Sequence, residues 1–458
     1  MTKAIIELGY LIAAVLFVVG LKQLSSVETA RRGNLLGAVG MLIAIVITLV
    51  QTGILQFSLI LLGLVVGSAV GLVMALKTPM TGMPQMVALL NGFGGAASTL
   101  VATSEYVTKG TSLELATLIT VALSVLVGAV TFTGSVIAFA KLQEWMPGRP
   151  ILFKFQNFSN LFLFLLILAV GVYFLVHPDI SIALHTITVG SLLLGVMLVL
   201  PIGGADMPVV ISLLNSYSGI AAALTGFVLS NHGLIITGAL VGSSGIILSQ
   251  LMCKAMNRSL ANVLFGGFGQ VAVDKSPGKP AAARPVRECS VEDAVLLLEN
   301  AQLVIVVPGY GMAVSQAQRT VAELAEILEK KGVTVKYAIH PVAGRMPGHM
   351  NILLAEANVP YDQLYEMDTI NPEFESADVA LVVGANDVTN PAAREDSKSP
   401  IYGMPILDTD KAKTVIVCKR SMNPGFAGID NELYYRSNTC MLFGDAKASL
   451  NKVVAALK

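Results

Sequence analysis

The chain has 458 residues, of which 54% are hydrophobic and only 13% are charged, whereas a soluble globular domain carries about 25% charged residues. Lysine plus arginine number 30, as do aspartate plus glutamate, and this balance excludes a strongly basic nucleic-acid binder and an acidic disordered tail. The four cysteines are far apart and form no CxxC pair, which excludes a disulfide framework or a zinc finger. We expect neither a nucleic-acid partner nor a bound metal.

The apolar excess lies in the first 258 residues, which contain long stretches without a charged side chain. A membrane-spanning helix needs roughly 20 apolar residues, and turn-forming residues separate stretches of this length. The first stretch resembles a signal peptide, but eight further spans and the lack of a small-residue cleavage site favour a retained anchor. We predict transmembrane helices near residues 4–21, 34–50, 54–76, 83–103, 113–140, 157–176, 180–201, 207–229 and 233–253.

Basic residues are unequally distributed between the loops on the two sides of these helices. One side has only Lys3 and Lys109. Basic residues favour cytoplasmic loops, so we expect the N-terminus outside the cell and the residues after 258 in the cytosol. The basic residues of the predicted cytosolic side are Lys22, Arg31, Arg32, Lys77, Lys141, Arg149, Lys154, Lys254 and Arg258.

A short pattern occurs twice in the membrane half. Met83-Pro84 precedes Leu89-Leu90-Asn91, and Met207-Pro208 precedes Leu213-Leu214-Asn215 at identical spacing. The two copies open the fourth and eighth helices, which run in the same direction, and so suggest a parallel internal repeat with the two asparagines at matched depth. We hypothesise that Asn91 and Asn215, with Ser135 of the fifth helix, line a hydrated path. Chance similarity between small-residue membrane segments is the alternative.

The C-terminal part has a different composition. Residues 259–284 are rich in glycine, alanine, proline and lysine, which is typical of a linker. From about residue 285, short β-branched runs alternate with helical patterns, which predicts a parallel, doubly wound Rossmann-like sheet. We therefore expect a transmembrane domain at 1–258, a linker at 259–284 and an α/β domain at 285–458. The predicted strands are Leu303–Val307, Val333–Ile339, Gln363–Glu366, Val379–Val383, Thr414–Cys418 and Cys440–Phe443.

The first predicted strand continues into a glycine-containing turn. Gly309-Tyr310-Gly311-Met312-Ala313-Val314 matches the pattern Gly-x-Gly-x-x-Val, and a long helix to Lys331 is expected to follow. In a strand–turn–helix context, such glycines allow the backbone to approach a pyrophosphate at the helix N-terminus. An ordinary turn between a strand and a helix is the alternative, but the context favours nucleotide binding.

The ends of the second and fifth strands indicate which nucleotide binds. A domain specific for NAD places an acidic residue at the end of the second strand for the ribose 2′-hydroxyl, but here that strand ends at Ile339-His340-Pro341, and Arg345 follows. Lys419-Arg420-Ser421 closes the fifth strand, and two cations with a hydroxyl suit a 2′-phosphate. A solvated basic strand end is the alternative. Together these features favour NADP(H).

Several motifs resemble those of proton-translocating nicotinamide nucleotide transhydrogenase, and the resemblance covers nearly the whole chain. In the membrane half it resembles the beta subunit of that family at Val130–Val136 and at Gly203–Val210. In the α/β half, the motifs similar to its NADP(H)-binding domain are Pro308–Gln318, His340–Asn351, Gly384–Asp387, Lys419–Gly428 and Gly444–Ser449.

The resemblance implies an enzyme that transfers hydride between NAD(H) and NADP(H) while a proton crosses the membrane, by a binding-change mechanism. NADP(H) would bind to this chain and NAD(H) to a separate alpha subunit. It further implies a multi-pass protein of the cell inner membrane, in contact with the lipid bilayer and assembled as a dimer of alpha–beta units.

The resemblance also implies roles for individual residues of the α/β domain. The first glycine turn would cradle the pyrophosphate, Asp387 would lie on the nicotinamide side and sense the proton state, and residues 423–428 would form a lid. Phe426 occupies a lid position at which many relatives have tyrosine, so stacking is kept but a hydroxyl contact is not. The implied cofactor-binding residues are Gly309, Tyr310, Gly311, Met312, Ala313, Val314, Val342, Ala343, Gly344, Arg345, Met346, Pro347, Gly348, Gly384, Ala385, Asn386, Asp387, Lys419, Arg420, Ser421, Met422, Asn423, Gly425, Phe426, Ala427, Gly428, Gly444 and Asp445.

Two membrane positions combine an interpretation from the residues with one from the resemblance. Asp206 precedes Met207-Pro208 as a helix N-cap would, and the resemblance adds a role in proton coupling at the cytosolic mouth. Some relatives have a titrating histidine where this chain has Asn91. Either the partner's membrane segment supplies a histidine, or water and Asp206 suffice.

Two other functions fit part of the pattern. A transporter or channel gated by a cytosolic NADP(H)-sensing domain predicts an acidic end to the second strand or an ion filter such as TVGYG, and the sequence has neither. A reductase of the soluble type tethered to the membrane would need its own substrate pocket and acid–base residues, and no sequence remains to build one.

Overall fold

A computed structural model describes residues 2–24, 27–51, 57–147, 150–257, 259–265, 284–399, 401–425 and 429–458. Most of the predicted linker, residues 266–283, lies outside this part of the chain. The described residues divide into two compact units. One consists of membrane-type helices, and the other contains the α/β domain together with Ile202–Val209 and the chain from Ser249 onward.

Nine helices of the described residues are long and apolar enough to cross a membrane, as predicted. Several extend beyond their apolar stretches; the second, for example, begins at Val27 and not near 34. Charged residues such as Lys, Arg and Glu are good helix formers, so the end of an apolar stretch does not end the helix. The helices are α1 (Thr2–Leu24), α2 (Val27–Gln51), α3 (Phe57–Lys77), α4 (Met83–Lys109), α5 (Leu115–Leu142), α6 (Gln156–Val176), α7 (Ser181–Val199), α8 (Met207–Val228) and α9 (His232–Ala255).

Glycines allow α4 to pack closely on α5, and α8 on α9. A Cβ atom on Gly95 of α4 would lie 2.5 Å from the carbonyl oxygen of Gly128, and one on Gly219 of α8 would lie 2.4 Å from the amide nitrogen of Gly242. Both distances are shorter than any real carbon contact, so glycine is required for this backbone approach. Small residues serve this purpose in membrane helix pairs, where lipid removes the hydrophobic drive for association.

In the part of the α/β domain that the structure describes, six parallel strands follow the order β3-β2-β1-β4-β5-β6. This is the order of a doubly wound dinucleotide-binding sheet, as the sequence predicts. The strands are β1 (Leu303–Pro308), β2 (Thr334–Ile339), β3 (Leu364–Glu366), β4 (Val379–Val383), β5 (Thr414–Lys419) and β6 (Thr439–Phe443). The helices after α9 are α10 (Leu260–Phe265), α11 (Val291–Glu299), α12 (Tyr310–Ser315), α13 (Gln318–Lys330), α14 (His349–Glu356), α15 (Met367–Ile370), α16 (Ala392–Glu395) and α17 (Ala446–Leu457).

The central strands are buried on both faces, because helices cover both sides of the sheet. In β1, Val304 and Val306 belong to the core on one face, while Ile305 and Val307 belong to the core on the other. The strand order reverses between β1 and β4. In such sheets the reversal leaves a crevice at the carboxyl ends of the strands, where ligands bind.

The expectation of one long helix from the glycine turn to Lys331 was wrong. The backbone of Gln316 is left-handed, with φ 52° and ψ 42°, and divides the segment into α12 and α13. An α-helix requires right-handed dihedrals at every residue, so this single position ends the first helix. Apolar periodicity does not report such a break, because the buried residues Ala313 and Ala317 lie on either side of it.

Candidate functional site

The crevice at the reversal point contains a cavity of about 550 Å³. Its walls come from the segments that follow β1, β2, β4, β5 and β6, so residues far apart in sequence face one space. The predicted residues that line it are Gly309, Tyr310, Gly311, Val314, Val342, Ala343, Gly344, Gly384, Ala385, Asn386, Asp387, Lys419, Arg420, Ser421, Asn423, Gly425 and Gly444.

Other predicted residues lie behind or beside this cavity. Met312 and Ala313 are buried in the core under the first turn. Asp445 does not line the cavity but contacts Arg420, which does. Phe426, Ala427 and Gly428, the centre of the predicted lid, lie outside the described residues. Arg345, Met346, Pro347, Gly348 and Met422 are not among the lining residues either.

Three glycines bring the turns after β1 and β4 into direct backbone contact. The Gly309 amide donates to the Val383 carbonyl, and the Gly311 amide donates to the Gly384 carbonyl, each over 2.9 Å. Gly384 has a φ of +69°, and a Cβ atom there would lie 2.3 Å from the amide nitrogen of Met312. Any larger residue at 384 would meet both backbone strain and a steric clash. The glycines thus leave a wall of bare backbone beside the cavity.

The loop after β2 contributes a cationic side chain that contacts an aromatic ring of the segment after β1. The Arg345 guanidinium carbon lies 4.3 Å from the centroid of the Tyr310 ring, a distance typical of cation–π contact. The Arg345 amide donates to Nδ1 of His349 over 3.0 Å. A Cβ on Gly344, whose φ is +108°, would lie 2.6 Å from the His349 side chain. The loop therefore bends tightly around His349.

Two buried histidines were not identified from the sequence as functional. Burial lowers the pKa of His340 to about 4, and burial together with Arg345 lowers that of His349 to about 4. His340 Nδ1 accepts from the Val342 amide, so its Nε2 donates to the Pro405 carbonyl over 2.9 Å. Both histidines are therefore neutral at pH 7 and fix the loop after β2. Their positions one and ten residues beyond β2 were the only sequence signal.

Lys419 ends β5, and its ammonium group is turned toward its own loop. Nζ donates to the Asn423 carbonyl over 2.7 Å and lies 5.0 Å from the centroid of the Tyr434 ring. Burial lowers the pKa of Lys419, and the carboxylates of Asp387 and Asp430 partly offset that effect. The lysine therefore holds the segment 419–423 in a bend.

The rest of the basic cluster is more exposed. Arg420 Nη2 lies 2.6 Å from Oδ2 of Asp445, while Oδ1 of Asp445 accepts from the Ala448 amide as the N-cap of α17. Ser421 Oγ accepts from the Asn423 amide. A guanidinium, an ammonium and a hydroxyl thus meet at one end of the cavity, and this donor set matches a phosphate group.

The turn after β4 is held by a network that sequence reasoning missed. Tyr434 is 1% exposed, and its hydroxyl donates to Oδ1 of Asn386 over 2.7 Å. Asn431 Nδ2 donates to the carbonyl and Oδ1 of Asn386 over 3.0 and 3.1 Å. The network places Asp387, the next residue, at the cavity wall. Tyr434 and Asn431 lie more than 40 residues from Asn386, and no local pattern connects them.

The features of this cavity fit a phosphorylated dinucleotide. The glycine wall leaves space that a Cβ would fill, and Lys419, Arg420 and Ser421 provide phosphate donors. Nδ2 of Asn386 is buried and has no hydrogen-bond partner among the described residues, so it can donate to a ligand. Buried polar groups normally have a hydrogen-bond partner. A ligand in the cavity would provide the missing partner of this amide.

The membrane residues of the hypothesised path lie on neighbouring helices. Asn91 of α4 is buried, and its side-chain Nδ2 donates to the Ile211 carbonyl over 3.4 Å. Its main-chain carbonyl accepts from Ser218 Oγ over 2.8 Å. These contacts place Asn91 beside the part of α8 that contains Asn215. Ser135 of α5 is fully buried, and within the described chain its Oγ has no hydrogen-bond partner.

The two copies of the Met-Pro pattern have similar structural surroundings. Both helices begin at the Met-Pro pair, and each follows a 3₁₀ turn, Met80–Gly82 or Gly204–Asp206. A Cβ on Gly92 of α4 would contact Ser135 of α5 at 3.2 Å. A Cβ on Gly245 of α9 would contact Ser216 of α8 at 2.8 Å. A glycine thus faces a serine in both helix pairs. The glycine lies on the first helix of the pair α4–α5 and on the second helix of the pair α8–α9.

Among the described residues of the membrane half, two charged side chains are buried. Asp206 is 3% exposed and ends the 3₁₀ turn before α8. Lys141 of α5 is 4% exposed, and its ammonium donates to the carbonyls of Leu200 and Val199 at the end of α7. Sequence analysis counted Lys141 only as a loop charge, although charge buried in a membrane helix is usually functional.

Known proteins resemble this chain over its full length. A family model described as NAD(P) transhydrogenase beta subunit matches residues 6–456. Two curated relatives, both named NAD(P) transhydrogenase subunit beta and both from Rhodospirillum rubrum, are 51% identical to it over 464 residues. Each comparison covers 100% of this chain and 100% of the relative.

Proposed function

The chain belongs to the NAD(P) transhydrogenase beta-subunit family, as an enzyme subunit with membrane helices, and on that basis we propose that its α/β domain binds NADP(H). One observation carries this proposal most strongly. Lys419, Arg420 and Ser421 share a cavity with the glycine turn after β1, at the point where the strand order reverses. The basic cluster would bind the 2′-phosphate of NADP(H), and the glycine turn would bind its pyrophosphate.

The bound cofactor would supply the hydride chemistry, and this chain's residues would position it. The glycine wall of Gly309, Gly311 and Gly384 admits the pyrophosphate close to the backbone. Asn386 and Asp387 line the same cavity on the turn after β4 and would border the nicotinamide. An alpha subunit, which the beta subunit of a transhydrogenase implies, would carry NAD(H) as the other partner in hydride transfer.

We further propose that hydride transfer is coupled to proton translocation by a binding change. In this scheme the α/β domain alternates between a form that exchanges NADP(H) and an occluded form that performs hydride transfer. Asn91, Asn215 and Ser135 would line the proton path, and Asp206 would couple that path to the α/β domain. The burial of Asn91, Ser135 and Asp206 supports such roles, because buried polar and charged groups in a membrane protein are costly and usually functional.

The proposed arrangement places the chain in the cell inner membrane, with the N-terminus outside and the domain at 285–458 in the cytosol. The basic residues of the predicted cytosolic loops support this orientation. The domain at 1–258 would translocate protons, and two alpha–beta units would form a dimer. A cysteine introduced at Lys109 and one introduced at Lys154 would distinguish the two sides by their labelling with an impermeant thiol reagent.

The decisive experiment compares the purified chain with and without its alpha subunit in proteoliposomes. Hydride transfer from NADH to NADP⁺ and the accompanying pH change inside the vesicles are measured together. We expect both signals only when the two subunits are present. Activity of this chain alone, or failure of the complex to bind NADP(H), would contradict the proposal.

A further inference from the structure

We propose that Tyr434 is a positioning residue that transmits occupancy of the basic end of the cavity to the Asn386–Asp387 turn. This inference rests on the proposed NADP(H) site and concerns how its basic cluster communicates with the turn after β4. The basic cluster and this turn belong to different segments, one after β5 and one after β4. Tyr434 comes from a third segment, the 3₁₀ turn Glu432–Tyr435, and it touches both of the others.

Hydrogen bonds run in one direction through Tyr434. Lys419 Nζ lies 3.4 Å from the Tyr434 hydroxyl oxygen, at donor–acceptor distance, and that hydroxyl donates in turn to Asn386 Oδ1 over 2.7 Å. A hydroxyl has one proton to donate, so the bond to Asn386 uses it. Bonds in such a series strengthen one another. A weaker bond from the lysine therefore weakens the bond to Asn386.

Burial keeps solvent away from this series of hydrogen bonds. Tyr434 and Asn431 are each 1% exposed, so water does not replace a lost bond. The orientation of Asn431 is fixed because its Oδ1 accepts from the Leu433 amide over 3.0 Å. Its Nδ2 must then face Asn386, which leaves the acceptor side of the Asn386 amide turned to Tyr434 and Asn431. The amide nitrogen of Asn386 points away from the network.

A phosphate at the basic end would compete for the Lys419 ammonium. That ammonium now donates to the Asn423 carbonyl and to Tyr434 and lies over the Tyr434 ring. A phosphate dianion is a far stronger acceptor than either partner, so the ammonium would shift toward it. The Tyr434 hydroxyl would lose its donor, and the Asn386–Asp387 turn would respond.

The test uses adenosine 2′,5′-bisphosphate, which has a 2′-phosphate but no nicotinamide. Hydrogen exchange of the amides of residues 386–390, which follow the glycine wall, is measured on the purified full chain, with and without a saturating concentration of this compound. We expect it to change the exchange rates of these amides by about fivefold in the wild type, since one hydrogen bond is worth roughly that factor. In Tyr434→Phe the change should be absent.

Tyr435→Phe is the matched control. Tyr435 lies on the same turn, but its hydroxyl donates to Asp430 over 2.6 Å and not to the network, so the response should persist. Asn386→Ala interrupts the series at its other end, and it decides the question if Tyr434→Phe does not fold. A wild-type response retained in Tyr434→Phe or in Asn386→Ala would overturn the inference. Failure of the wild type to bind the compound would instead overturn the proposed 2′-phosphate site, and the inference with it.

Discussion

Arg420, just after β5, and Asp445, just after β6, form an ion pair, with Nη2 and Oδ2 2.6 Å apart. Both residues are partly exposed, and Asp445 also caps α17. Arg420 lowers the pKa of Asp445, so the carboxylate is ionised at neutral pH. A phosphate that binds Arg420 must therefore compete with Asp445 and lie near its negative charge.

We expect Asp445→Asn to bind NADP⁺ about two- to fivefold more tightly than the wild type, since an exposed ion pair contributes roughly 0.2–1 kcal/mol. Asparagine is as good an N-cap as aspartate, so α17 should be preserved. Isothermal titration calorimetry of the full chain measures the affinity. The matched control is Asp293→Asn, which alters the N-terminal capping box of α11 and should leave the affinity unchanged. Weaker binding by Asp445→Asn would show that the carboxylate assists the ligand.

Comparison of Gly384→Ala with Gly332→Ala separates the effect of backbone strain from that of a steric clash of the new Cβ atom. Both glycines have positive φ, +69° and +89°, but only at Gly384 would a Cβ clash, whereas at Gly332 it would meet nothing within 4 Å. Gly332→Ala should lower the free energy of unfolding by about 1–2 kcal/mol, the cost of a left-handed backbone. Gly384→Ala should lower the free energy of unfolding by more than Gly332→Ala does. It should also abolish NADP⁺ binding, because the turn after β4 must move away from Met312. Urea unfolding and calorimetry measure both quantities. Equal effects of the two substitutions would contradict the packing argument.

We expect the buried, neutral His340 to make the folded protein less stable in mild acid. Its folded-state pKa of about 4 lies below the unfolded value of about 6.5, so protons bind more readily to the unfolded chain. The stabilisation is fully present above pH 6.5 and falls by up to about 1.4 kcal/mol per pH unit between pH 6.5 and 4. His340→Gln should reduce this slope, measured by urea unfolding at several pH values. His177→Gln, at an exposed histidine, is the control, and an unchanged slope in His340→Gln would contradict the prediction.

Asn91→Leu and Asn215→Leu test the proposed proton path. Each removes a polar side chain from the region where α4 and α8 lie together, so we expect proton translocation to fall to near background. A pH-sensitive dye inside proteoliposomes that contain both subunits measures the flux. Ser243→Ala, at an exposed serine of α9, should translocate protons normally. Normal translocation by both leucine variants would mean that the path lies elsewhere.

The membrane helices and the strands could be predicted because the signals for them are local. An apolar run of about 20 residues crosses a bilayer whatever its neighbours do, and alternating strand and helix patterns imply a parallel sheet. The glycine turn and the Lys419–Ser421 cluster were identified in the same way, since each is one short segment next to a strand. The two copies of the Met-Pro pattern, at Met83 and Met207, were recognised from their spacing alone, and each copy begins a helix.

Long-range contacts could not be read in this way. The break at Gln316, the Arg420–Asp445 pair and the network of Tyr434, Asn431 and Asn386 each depend on dihedral angles or on segments far apart in sequence. Hydrophobicity and spacing report which residues belong to an element, and thus the class of fold and cofactor. Which side chains meet at the ends of different strands depends on packing and on buried hydrogen bonds, whose partners are specified only when the whole sheet has formed.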